Sequence, residues 1–188
     1  MLETLSFEEI QKVTKSAAES VFDLHGSMDR NAIDAAAVNA MRSVLNSITM
    51  NGTVVIGEGQ KDNAPMLKNG EKVGNGAGLA FDIAVDPIDG TSLVAKGKTG
   101  AVSLIALSPS NTMFNPEDNF YMYKLVTGHE AAAKVSITRP LIENLHVIAE
   151  AKSKEIQELV VNVLRRPRHE KLALELQAIG IKVRFFDD

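Results

Sequence analysis

Residues Phe81 to Asp86 alternate apolar and polar side chains and run directly into Pro87-Ile88-Asp89-Gly90-Thr91. Such alternation marks a β-strand with one buried face, and a proline that removes a backbone donor is expected to end its ladder. The chain therefore has to deliver Asp86 to the carboxyl end of a strand. Pro-x-x-Gly spacing favours a turn that brings Asp89 back towards Asp86, with Thr91 where a helix can begin. Hard cations such as Mg²⁺ or Mn²⁺ take oxygen ligands and leave room for water and phosphate, so the segment reads as a divalent-metal phosphate site. A polar turn capped by an Asp and a Thr fits the same residues.

A second acidic cluster lies upstream. Thr53 to Ile56 read as a short buried strand, followed at once by Gly57-Glu58-Gly59-Gln60-Lys61-Asp62. Glycines on both sides of Glu58 let the backbone turn sharply and the carboxylate project from a strand end, with Asp62 in reach a turn later. A charged, solvated hairpin tip is the alternative. Two strand-end carboxylate groups joined by a glycine-rich connection are what a two-metal phosphatase needs, since paired cations stabilise both the attacking and the leaving oxygen of an in-line displacement. Asp34 completes the set or, alternatively, offsets a helix dipole. It lies near the start of a helix expected over 33–48, with Asn31 as N-cap and Val38, Met41 and Leu45 on the core side.

Elsewhere the pattern is one of alternating helices and strands. Ser6-Phe7-Glu8-Glu9 has the form of a capping box, and Phe7, Ile10, Val13, Ala17, Val21 and Leu24 recur at helical spacing to an end near His25-Gly26. Gly74, Gly76 and Gly78 precede a strand, whereas a dinucleotide fingerprint needs a strand before and a helix after, so they read as a flexible connection. Strands are expected over 102–107 and 120–126, the latter placing Tyr121 and Tyr123 on one face, where core or edge packing accounts for both equally well.

From Pro140 the organisation changes: a helix over 141–151, a strand over 159–164, a helix over 169–179 closed by Gly180, and a strand over 181–186. The last three form a βαβ unit, which binds ligands beyond the carboxyl ends of its strands. Arg165, Arg166, Arg168 and His169 follow the first strand, and Asp187 and Asp188 the second. Arginines beside a helix N-terminus suit a phosphate, though ordinary surface charge would look the same. His169 reads as a polar helix-start residue rather than a ligand.

A net charge of −4 gives no basic field, so nucleic acid is not an expected partner. The absence of cysteine excludes disulfides, thiolate catalysis and Cys-ligated zinc, and suits a reducing cytoplasm. No run approaches the ~18 apolar residues that span a membrane.

Taken together, Val54-Val55-Ile56-Gly57-Glu58-Gly59, Ala64-Pro65-Met66, Gly70-Glu71-Lys72-Val73-Gly74, Asp86 to Thr91 and Arg166-Pro167-Arg168-His169 resemble the class II fructose-1,6-bisphosphatases, within the lithium-sensitive, inositol-monophosphatase-like phosphatases. The resemblance runs along the whole chain. It implies an α/β (α+β) sugar-phosphatase fold of layered helices and mixed sheet. Residues 1–139 would form a metal-binding phosphatase domain, and 140–188 the start of a second, incomplete α/β sugar-phosphate-binding domain. It also implies Mn²⁺ or Mg²⁺ on Asp34 and Glu58 and on Asp86 and Asp89, with Thr91 and Asp62 activating water. Asp89, Gly90, Thr91, Tyr121, Arg166, Pro167, Arg168 and Asp188 would surround the sugar bisphosphate.

The implied activity is removal of the 1-phosphate of fructose 1,6-bisphosphate, in gluconeogenesis, by a cytoplasmic homo-oligomer, dimer or tetramer. Related phosphatases of sedoheptulose 1,7-bisphosphate or inositol phosphates are the alternative, as is an inactive metal-binding or oligomer-forming fragment. A two-stranded parallel unit cannot bury both faces, so the chain is expected to be truncated. Class II enzymes usually carry Glu at the position of Asp89; the shorter side chain loses roughly 1.5 Å of reach. Gln60 and Lys68 stand where the family tends to have Glu and Tyr.

Overall fold

The computed structural model describes residues 5–57, 67–116, 119 and 121–187. Two compact units divide the chain, Met1–Glu117 and Asp118–Asp188.

In the first, helix α1 (Phe7–Ser20) opens with the expected box: Ser6 Oγ accepts from Glu9 N at 3.2 Å and Glu9 Oε2 accepts from Ser6 N at 2.9 Å. It stops earlier than the apolar spacing suggests. Val21 is its C-cap, Leu24 belongs to a separate 3₁₀ turn (Phe22–Leu24), and Phe7 stays exposed, so the buried stripe narrows to Val13 and Ala17. Helix α2 (Arg30–Ser47) starts before the expected Asn31. Asp29 is in extended conformation and its Oδ1 accepts from Ala32 N at 3.0 Å, which makes it the N-cap and leaves Asn31 inside the first turn. Ile33, Ala37, Val38, Met41 and Leu45 form its buried stripe.

These helices share a core with a four-stranded mixed sheet of order β2-β1-β3-β4, built from β1 (Asn51–Ile56), β2 (Lys72–Val73), β3 (Ala80–Asp89) and β4 (Val102–Pro109). Strand β1 runs parallel to β3, and the β1/β2 and β3/β4 pairs are antiparallel. Phe81, Ile83 and Val85 of β3 point into the core, as the alternation requires.

Two expectations for this unit change. Pro87 does not end β3. The strand continues to Asp89, and the register against β4 slips between Asp86 and Asp89, an irregularity that accommodates the missing N–H. The glycines after β2 are not a loose connection. Gly74 has φ +92°, and a Cβ there would stand 2.2 Å from the Met50 carbonyl oxygen.

Asp82, on the polar side of the alternation, is only 5% exposed. Its Oδ2 accepts from Thr112 N at 3.0 Å and Met113 N at 3.1 Å, anchoring the segment after β4. The amide of Met113 is the main cause holding this carboxyl below its ordinary pKa, against the opposing effect of burial. A depressed folded value contributes stability that is complete above the unfolded carboxyl's pKa of about 3.9 and is lost as pH falls through the folded value. Asp82→Asn is expected to flatten the acid limb of the unfolding profile between about pH 5 and 2. Superimposable acid limbs for variant and parent would refute that role.

In the second unit, β5 (Val160–Leu164) and β6 (Lys182–Phe186) pair in parallel, with α5 (Leu141–Ala151) and α6 (Glu170–Ala178) supplying Leu145, Ala149 and Leu176 to a small core with Val163 and Ile181. The crossover from β5 through α6 to β6 is the expected βαβ unit. A short helix, α4 (His129–Ala132), and the turn after it also belong here. Buried Asn144 donates to the carbonyls of Ser136 and Arg139 at 2.8 and 3.2 Å and accepts from Ser136 N at 3.0 Å. Those bonds tie residues 136–139 to α5 within the unit Asp118–Asp188. The strand expected over 120–126 is not formed by its described residues; Tyr121, Tyr123 and Val126 are exposed and in no helix or strand. Phe120 lies outside the described residues. A strand needs a ladder, and nothing described pairs with this segment.

Among the described residues no helix is long and apolar enough to cross a membrane.

Candidate active site

The carboxyl end of β3 carries the residues singled out in the sequence. Asp86 is half-buried and Asp89 exposed, and Gly90 follows in the left-handed conformation at φ +99°. A side chain at Gly90 would also meet Ala101 Cα at 3.1 Å, so the turn needs glycine for both conformation and space. Gly90 is the N-cap of α3 (Thr91–Ala95), which places Thr91, buried at 8% exposure, in its first turn.

From there Thr91 Oγ1 donates to Asp34 Oδ1 at 2.7 Å, linking α2 to the end of β3 across 57 residues of sequence. The carbonyl of Ile88 lies 3.1 Å from the same hydroxyl. With one proton to give, Thr91 donates to one of these at a time, and the charged carboxylate is the stronger acceptor.

Because β1 is parallel to β3, its carboxyl end lies on the same sheet edge. There Gly57 N donates to Asn69 Oδ1 at 2.9 Å, Gly70 N donates to Val54 O at 2.7 Å, and a Cβ on Gly57 would overlap the Leu67 carbonyl, 2.0 Å away. Arg42 of α2 holds the returning chain with Nε at 2.6 Å from Glu71 Oε1 and Nη2 at 3.3 Å from Oε2. The flanks of the Glu58 segment are thus fixed at the edge that carries Asp86. Glu58 and Asp62 themselves, like Gln60, lie outside the described residues.

The donor set on this edge is carboxylate and hydroxyl oxygen, the chemistry of a hard divalent cation. Among the described residues no three His, Cys, Asp or Glu side chains are grouped closely enough to hold one. Asp34, Asp86 and Asp89 therefore do not make a complete metal site by themselves, and the fourth expected ligand is Glu58.

In the second unit, the carboxyl ends of β5 and β6 gather the expected cations. Arg165 N donates to Phe186 O at 2.7 Å, its Nε lies 3.3 Å from Asp187 Oδ1, and its guanidinium sits 4.8 Å from the Phe185 ring centre. Arg166 Nη1 donates to the carbonyls of Asp187 at 2.6 Å and Arg165 at 3.1 Å. A 3₁₀ turn, Pro167–His169, then leads into α6. The Arg168 guanidinium stacks 4.6 Å from the centre of the Tyr121 ring, which unites two of the expected substrate residues. His169 Nδ1 lies 2.9 Å from Leu164 O; a carbonyl only accepts, so this nitrogen carries the proton and fixes the turn, in keeping with the structural reading of His169. Asp188 lies outside the described residues.

Sequence patterns gave no sign of the Arg42–Glu71 clamp or of Thr91 choosing Asp34, because neither pair is close in sequence.

The chain is similar in sequence to proteins of known function. The model of the bacterial, glpX-encoded fructose-1,6-bisphosphatases matches residues 4–188. The chain is 45% identical over 175 residues to fructose-1,6-bisphosphatase 1 class 2 of Escherichia coli strain K12, an overlap of 93% of this chain and 52% of that protein. Identity and coverage are the same for the class 2 fructose-1,6-bisphosphatases of Escherichia coli O6:H1 and Shigella flexneri. The chain spans about half the length of these relatives.

Proposed function

Because the chain belongs to the glpX-encoded bacterial fructose-1,6-bisphosphatase family, we propose that its protein hydrolyses the 1-phosphate of fructose 1,6-bisphosphate to give fructose 6-phosphate and inorganic phosphate. The observation that carries this reading is the 2.7 Å contact of Thr91 with Asp34 at the end of β3, in a chain that matches the family almost throughout. Asp34 with Glu58, and Asp86 with Asp89, are the residues that would hold Mn²⁺ or Mg²⁺. A divalent cation, when bound, offsets the negative charge that gathers on the phosphoryl oxygens.

The chain's own groups supply the rest. A hydroxyl that donates to a carboxylate turns its oxygen outward as an acceptor, so Thr91, held by Asp34, is suited to receive and orient a proton of the attacking water. Thr91 accepts a hydrogen bond from that water, and Asp62 is assigned as the general base that takes the proton the water loses as it attacks. Attack in line at phosphorus forms the bond to the water oxygen and breaks the bond to the sugar oxygen at C1, which takes a proton from solvent to leave as the hydroxyl of fructose 6-phosphate. The remaining phosphate is assigned to Arg166 and Arg168, with Gly90, Pro167 and Asp188 beside the sugar; Tyr121 fixes the Arg168 guanidinium by stacking beneath it. A place in gluconeogenesis, in the cytoplasm, as a homo-oligomer completes the reading.

Phosphate release from fructose 1,6-bisphosphate, sedoheptulose 1,7-bisphosphate and inositol 1-phosphate, with Mn²⁺ or Mg²⁺, tests it in the complete protein. Fructose 1,6-bisphosphate is expected to be preferred. Arg168→Ala is expected to raise its KM at least about tenfold, the scale of a lost charge-assisted hydrogen bond, with a smaller change in kcat. Preference for another substrate, with Arg168→Ala indifferent, would overturn the assignment.

A further inference from the structure

A cavity of about 510 Å³ opens between the end of α1 and the segment that joins α3 to β4. Small-molecule sites commonly occupy roughly 300–1,000 Å³. None of its described lining residues is one of the carboxylates or the hydroxyl assigned above to phosphate chemistry.

The rim is held in place before any ligand arrives. Gly26 N donates to Val94 O at 2.8 Å, Met28 N donates to Ala95 O at 2.9 Å, and His25 Nε2 lies 3.4 Å from Lys98 O. The walls are apolar, with Val21, Ile88 and Val94 buried behind Phe22, whose side chain is exposed at the lip. The polar groups are few. Lys98 and His25 are the titratable residues of the described lining, and Thr99 stands beside them. A fourth polar residue is Ser103, whose Oγ is buried with no hydrogen-bond partner among the described residues.

A preformed cavity with apolar walls and a lysine, a histidine and a threonine in its lining suits an anion on a hydrocarbon body. We propose that this cavity binds a small molecule bearing a carboxylate or phosphate, its charged group against Lys98 and His25 and its apolar body against Val21 and Phe22. The site lies directly behind the turn that positions Thr91, since Ile88 and Val94 flank that residue.

Amide spectra of the 188-residue chain in a metal chelator, titrated with phenyl phosphate, phenylacetate and the neutral benzyl alcohol, test the proposal. Saturable shifts over 22–25 and 98–103 are expected with at least one anion, at an affinity about tenfold or more above that of benzyl alcohol. The tighter of the two anions identifies the charged group. Ala18→Phe, which fills the cavity from an exposed position, and Lys98→Glu are each expected to weaken that binding at least about tenfold while leaving the remaining amide positions and the melting temperature unchanged. The proposal falls if neither anion saturates these shifts, if benzyl alcohol binds equally well, if both variants bind like the parent, or if phenyl phosphate shifts only residues 86–91 or 166–169.

Discussion

Asp86→Asn in the complete protein is expected to lower metal-dependent phosphate release by about 10²–10³-fold or more, the scale of removing one preorganised charge-stabilising group from an active site. The substitution keeps size and shape and removes the negative charge. Asp86 lies on the polar side of β3, half-buried, where the register against β4 begins to slip, so an isosteric amide leaves the strand intact. Asp82, on the same side of the same strand, supplies the internal control. Its carboxylate is committed to the amides of Thr112 and Met113, and Asp82→Asn is expected to change acid stability while keeping most of the turnover. Near-normal turnover of Asp86→Asn, or equal losses in the two variants, would remove Asp86 from its assigned role.

The largest effect on stability is expected from Gly74→Ala. Alanine at φ +92° costs about 1–3 kcal/mol in backbone strain. Overpacking adds a similar amount, about 1–3 kcal/mol, because the new methyl would stand 2.2 Å from the Met50 carbonyl oxygen and 2.8 Å from its Cγ. The segment can relieve this only by pulling away from Met50, which would loosen the bonds from Gly74 N to Asn46 Oδ1 of α2 at 3.2 Å and from Gly76 N to Met50 O, just before β1, at 3.1 Å. Amide protection of β1 and β3 is the measurement, with an expected fall of roughly 2–6 kcal/mol in opening free energy. Gly76→Ala is the matched comparison: φ is +79°, but no atom lies within 4 Å of the added Cβ, so strain alone should act and the loss should be smaller. Equal protection in the Gly74 variant and the parent would show that the segment does give way, as a flexible connection would.

Much of the fold was legible from short-range pattern. The capping box at Ser6, the helix over 141–151 and the strand–helix–strand crossover ending at Phe186 stand where periodicity and turn residues put them, because these signals act within one or two turns of chain. The misreadings share a cause, which is that a local signal met a tertiary partner or lacked one. Asn31 and Asp29 are both good caps, and the backbone conformation of Asp29 decided between them. Pro87 should stop a ladder, yet a slip in register lets β3 pass it. The apolar residues 121–126 look like a strand but have no described strand to pair with.

For the site, sequence alone determined the chemistry on offer: oxygen donors at the ends of two strands, a hydroxyl after a glycine turn, and arginines after a third strand. Those follow from residue identity and from periods of two and about four along the chain. Only the tertiary structure decided who meets whom. Parallel pairing of β1 with β3 put their carboxyl ends on one edge, the packing of α2 carried Asp34 to Thr91, and the course of the segment before α4 set Tyr121 against Arg168. Contacts between residues far apart in sequence depend on strand register and helix packing, which are settled by burying the whole core at once and leave no trace in local spacing.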